Sequence, residues 1–118
     1  MSQSLKNKYS TNEEENLGKA DGIIANVAGI QATATALTKK WNEINTNVAD
    51  DGAVKLAAGL IGYEQNVFNN TTQILKVFPI AGESINSITN FGFRISPNSN
   101  MTFRCVRDGV WMANGNSI

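Results

Sequence analysis

The chain has 118 residues, ten basic and ten acidic side chains that cancel, no histidine and one cysteine. Its length suits one domain burying roughly two thirds of its unfolded surface, and the balanced charge lacks the basic footprint of a general nucleic-acid binder. With Cys105 alone and no histidine, neither the usual transition-metal ligand sets nor a Ser-His or Cys-His nucleophile pair can be assembled within one chain.

Taken in chain order, residues 1–16 are polar and read as an arm that orders on a partner, because they carry too little apolar surface to offset the entropy of ordering. Glu13, Glu14 and Glu15 make this end acidic, whereas Lys76, Arg94, Arg104 and Arg107 outnumber Glu83 and Asp108 in the last third. The arm lacks the apolar centre of a secretory signal, and no apolar run approaches the ~20 residues that span a bilayer. A soluble protein with no membrane partner is expected, and residues 17–118 are expected to form a single β-domain.

Between Ile23 and Val48 two periods compete. Ile23, Val27, Ile30, Ala34, Leu37, Trp41, Ile44 and Val48 alternate spacings of four and three, as a coiled-coil seam does. Against a helix stand Gly22 and Gly29, each about 1 kcal/mol worse than Ala, and the β-branched Thr33, Thr35 and Thr38. In "IQATATALT" the same residues fit a period of two. The spacing favours a strand over Ile30–Thr38 and leaves a short helix open for Leu17–Ala28.

Beyond Asp50, turn signals recur every eight to fifteen residues. Strands are expected at Ile44–Val48, Ala53–Ala57, Glu64–Asn69, Gln73–Ile80, Phe91–Ser96, Met101–Arg107 and Val110–Asn114. The class this implies is all-β, an antiparallel sandwich or barrel-like module. In "NFGFRIS", Phe91, Phe93 and Ile95 alternate inward against Arg94. Asp108-Gly109 suits a two-residue type I′ turn, which would pair Arg107 with Val110, Val106 with Trp111, Cys105 with Met112 and Arg104 with Ala113. That register puts Phe103, Cys105, Val110 and Met112 in the core and Trp111 on the opposite face beside Val106 and Arg104. Cys105 reads as packing.

The turn Ala81-Gly82-Glu83-Ser84 poses the one catalytic question. A nucleophilic Ser84 wants a Gly-x-Ser-x-Gly frame and a base. Gly82 precedes it by two, but Asn86 follows it by two and no histidine exists. Glu83 has no obvious carboxylate partner for glycoside hydrolysis. No catalytic, cofactor-binding or metal-ligating residue is nominated, no cofactor is expected, and the chain reads as not an enzyme. Pro79 marks a strand end or edge, Gly82 allows a bend, Glu83 and Ser84 face water or a neighbour, and Ile85 and Ile88 return to the core.

In order, "GIQATATALT", "DDGAVKLAAGLIGYEQNVFNNTTQILKVFPIAGESINSI" and "FRISPNSNMTFRCVRDGVWMA" resemble a β-module of tailed-bacteriophage virion proteins, found in head fibres, capsid decoration proteins and tail-fibre modules. The resemblance covers about residues 29–113 and includes a valine strand ending in Asn, a Val-x-Pro-x-x-Gly-x-x-Ile-Asn corner and a final hairpin with a near-terminal Trp. It departs at Trp41-Asn42-Glu43, where a small or apolar strand start is more usual, and at Leu56-Ala57-Ala58, which lacks a proline. The resemblance implies a compact module, often a homotrimer, with no catalytic residues to carry over. The function it implies is a structural virion protein, a capsid decoration or head-fibre protein bound to the major capsid protein as a symmetric oligomer, located in the virion and assembled in the host cytoplasm. The alternative is a tail-fibre or adhesin module binding a host-surface glycan, with Trp111 or Tyr63 as the stacking platform.

Overall fold

A computed structural model describes residues 18–118; the arm expected over residues 1–16 lies outside the described residues. Eleven short strands follow one another: β1 (Lys19–Ile24), β2 (Thr35–Ala36), β3 (Trp41–Thr46), β4 (Gly52–Lys55), β5 (Glu64–Asn69), β6 (Leu75–Phe78), β7 (Ser84–Ile85), β8 (Ile88–Thr89), β9 (Phe93–Ile95), β10 (Ser99–Arg107) and β11 (Val110–Ala113). They form a seven-stranded sheet, β1-β3-β5-β10-β11-β7-β8, and a four-stranded sheet, β2-β4-β6-β9. The all-β class expected from the sequence holds, and the sheets are mixed: five of the nine ladders are parallel.

The parallel ladders have one origin. From β1 to β6 the chain alternates between the sheets, so that β1, β3 and β5 stack in parallel in one and β2, β4 and β6 in the other. Lys19, Trp41 and Asn66 lie on one rung of this winding, and Thr35, Val54 and Val77 on another. The second half closes the coil with antiparallel strands, β10 on β5 and β9 on β6. Each turn of such a coil buries its apolar side only by stacking on the next.

The core lies between the sheets. Ile44, Val67, Phe103 and Trp111 from the larger sheet meet Val54, Leu75, Val77 and Phe93 from the smaller one, all fully buried. Phe93 packs edge-on to Phe103 with ring centroids 5.3 Å apart, a geometry that adds about 0.5–1.5 kcal/mol beyond the area buried. Phe91 and Ile95 join this core as expected, while Ile88 stands half exposed and does not.

Buried amides tie the turns to the sheets. Asn69, at the end of β5, donates through Nδ2 to the carbonyls of Gln73 (2.8 Å), Ile95 (3.2 Å) and Ser96 (3.1 Å), while its Oδ1 accepts the Thr71 hydroxyl at 2.7 Å. Gln65 accepts the Ala57 N–H at 2.8 Å and donates to the carbonyls of Leu37 and Lys39. Irregular backbone can be buried only when its polar groups find such partners. Asn42, Asn47 and Asn66 are buried like Asn69.

Three local expectations change. No helix covers residues 18–28, and Leu17 lies outside the described residues; β1 runs over Lys19–Ile24 and includes Gly22 at a φ of +66°, which a right-handed helix cannot contain. The strand expected over Ile30–Thr38 shrinks to a 3₁₀ turn at Gln31–Thr33 and the two residues of β2. Here the Thr33 hydroxyl donates to Asn26 Oδ1 and the Thr35 hydroxyl to the Ile24 carbonyl. Such side-chain bonds compete with a regular ladder. The seam residues consequently scatter, Leu37 and Ile44 into the core, Val27, Ile30, Trp41 and Val48 onto the surface.

The third change is in the final hairpin. Arg107 pairs with Val110 as expected, but Cys105 then pairs with Trp111, Arg104 with Met112 and Phe103 with Ala113, because Val106 forms a bulge. A type I′ turn needs positive φ at both central residues, and only Gly109 has it, at +78°. One extra residue on β10 moves every later side chain of β11 to the other face. Trp111 therefore enters the core and Met112 faces out.

Candidate functional site

Glu83 and Ser84 belong to a structural corner. Ser84 opens β7, which runs parallel to β11, and its N–H donates to the Gly109 carbonyl at 3.0 Å. The Glu83 carboxylate accepts the Gly59 N–H at 3.0 and 3.2 Å and the Trp111 indole N–H at 3.3 Å. Rather than facing water, Glu83 joins the corner, the loop at Gly59 and the hairpin. Gly59 has no alternative there: a Cβ would stand 2.8 Å from Trp111 Nε1 and 3.1 Å from both Cys105 Sγ and Glu83 Oε1.

Cys105 lies in this same buried knot, where burial pushes its thiol pKa up and its Sγ donates to the Arg107 carbonyl. It is therefore a poor nucleophile. Trp111, 0% exposed, cannot serve as a stacking platform. Tyr63 borders the surface in the turn before β5, with its N–H bonded to the Leu60 carbonyl. The two aromatic residues considered for ligand stacking are thus not brought together on an open face.

The open aromatic face lies on the outer side of β1, β3, β5 and β10. Strand alternation turns Ile44 and Val67 inward and puts Trp41, Glu43, Asn66 and Phe68 on the opposite face, where Asn66 is itself buried. Parallel register sets Trp41 beside Asn66 and Glu43 beside Phe68, while Lys19 flanks Trp41 and Asn100 flanks Phe68. Together with Asn42, these six residues line a groove of about 350 Å³. Trp41 is 49% exposed and Phe68 38%, a large apolar presence on a face otherwise polar.

The polar side chains around these rings are fixed by one another. Glu43 accepts the amides of Asn45 and Asn70, both at 2.9 Å, and sits 3.5 Å from Lys19 Nζ. Those two amides, ahead of the lysine, hold its pKa below the ordinary carboxylate value. Glu64 binds Arg104 at 2.9 Å and the Asn66 amide at 3.2 Å, with Lys40 3.8 Å away, and the Arg104 hydrogen bond lowers its pKa most. Asn66 Oδ1 accepts the Thr102 hydroxyl. These polar side chains are hydrogen-bonded to one another before anything binds the face.

The sequence contained a signal for this groove. In β5, Phe68 has the opposite parity to Val67, and in β3 Trp41 has the opposite parity to Ile44. Trp41 also falls in the apolar seam of residues 23–48, whose helical period the fold does not use.

Among the described residues no cluster of three or more His, Cys, Asp or Glu could hold a metal ion, and no helix is long and apolar enough to cross a membrane. No family model, no curated protein and no solved structure matches the chain.

Proposed function

We propose that the chain is a structural module of a tailed-bacteriophage virion, a capsid decoration or head-fibre protein that binds the major capsid protein as a homotrimer. The observation that carries this reading is an apolar rim at the C-terminal ends of β1 and β3. Ile24 is 61% exposed, Val27 60% and Val48 70%. Ile24 pairs with Thr46, two residues before Val48, and Asn26, beside Val27, bridges to Ala53, so the three share one end of the coil. Branched apolar side chains grouped at a surface mark a contact with another protein.

The resemblance over residues 29–113 supports the same reading. Glu83, at an open position of its corner motif, holds Gly59 and Trp111, a structural use of a residue that could otherwise suggest chemistry. A module of this kind supplies shape and contacts to a particle and needs no reaction of its own.

The test mixes the full chain with capsids stripped of their accessory proteins and images the particles. Ordered density on the shell at symmetry-related positions is expected, with occupancy reduced for the Ile24→Asp, Val48→Asp double variant. A bare shell at saturating protein would overturn the proposal.

A further inference from the structure

The structure assigns the groove between Trp41 and Phe68 as a binding site for a neutral oligosaccharide. This goes beyond attachment to a shell and rests on a different surface from the apolar rim. Trp41 on β3 and Phe68 on β5 stand one strand and two residues apart, which places their backbones about 8 Å from each other. That spacing lets consecutive pyranose rings of one chain lie against the two aromatic faces. The apolar C–H face of a sugar ring suits an aromatic side chain, whereas its hydroxyls need donors and acceptors alongside.

The groove supplies both. Glu43 offers carboxylate oxygens already held by Lys19, Asn45 and Asn70, and Asn100 adds an exposed amide at the rim. Because the Glu43 carboxylate is already held by its partners, binding does not have to immobilise it. The Lys19–Glu43 pair leaves the groove with no net charge, which selects a neutral ligand over an anionic or cationic one. The volume of about 350 Å³ lies at the small end of ligand sites, the scale of a short oligosaccharide.

The test is a titration of the full chain, observed by ¹H–¹⁵N correlation spectra, with neutral trisaccharides of glucose, galactose, mannose and N-acetylglucosamine. At least one is expected to cause saturable shifts of the Trp41 indole N–H and of the Glu43, Phe68 and Asn100 amides, leaving the Trp111 indole unmoved. Trp41→Ala is expected to weaken that binding about tenfold or more, and Phe68→Ala by a smaller factor. Both positions are exposed, so both variants keep the fold, which their spectra report directly. No saturable shift with any of the four up to about 20 mM, or equal affinity in both variants, would overturn the assignment. So would a Trp41 indole N–H already protected from hydrogen exchange in the free protein, since residues 1–17 or a second copy would then fill the groove.

Discussion

Glu83 holds three separate parts of the chain with one carboxylate, and that explains why an apparent active-site turn is structural. Its removal in Glu83→Ala leaves the Gly59 and Trp111 N–H groups without their acceptor, and stability in urea is expected to fall by about 1–3 kcal/mol. Unchanged unfolding midpoints would contradict the role given to it. Gly59→Ala attacks the same knot sterically, through a Cβ 2.8 Å from the indole nitrogen, and a comparable loss is expected from overpacking. Asn69→Ala strips three backbone carbonyls of their donor. A loss of about 3 kcal/mol is expected by the same measurement. None of these roles was legible in the residue types alone, because Glu, Gly and Asn at a turn are equally at home in water.

At the scale of elements, strands with strong local patterns were legible and their partners were not. β5 occupies the expected Glu64–Asn69, since its flanking turns confine it, and β10 and β11 fall within two residues of expectation. The parallel winding was hidden because each strand pairs with one more than a dozen residues away, and successive rungs carry no repeated sequence. The hairpin slip was hidden for a different reason: Asp-Gly announces a turn, but not whether Asp108 adopts positive φ, and on that the side of Trp111 depends. Across β5 and β10, Glu64 and Arg104 are register partners bonded at 2.9 Å. The Glu64 pKa is lowered in the fold, so the folded chain binds its proton less tightly than the unfolded one. Its contribution is therefore present above an ordinary glutamate's 4.5 and lost as pH falls through the lower folded value. The Tm difference between the native chain and Glu64→Gln should be present at neutral pH and vanish in acid. A difference independent of pH would assign the effect to packing instead.

For the whole molecule, the fold separates a buried knot that builds the module from two surfaces that remain open, the rim at Ile24 and Val48 and the groove at Trp41. On the proposed reading the rim makes the contact between copies. Sedimentation of the native chain is expected to show a trimer, and the Ile24→Asp, Val48→Asp variant a folded monomer; a native monomer at working concentrations would remove the rim's role. The separation itself rests on the opposite placement of the two tryptophans, and acrylamide quenching of their fluorescence tests it most directly. In Trp41→Phe the remaining emission comes from Trp111 and should be blue-shifted and almost unquenched, whereas the component that the native chain has in addition should be red-shifted and readily quenched. Red-shifted, readily quenched emission from Trp41→Phe would put Trp111 on the outer face, as a hairpin without the Val106 bulge would, and would contradict the buried knot.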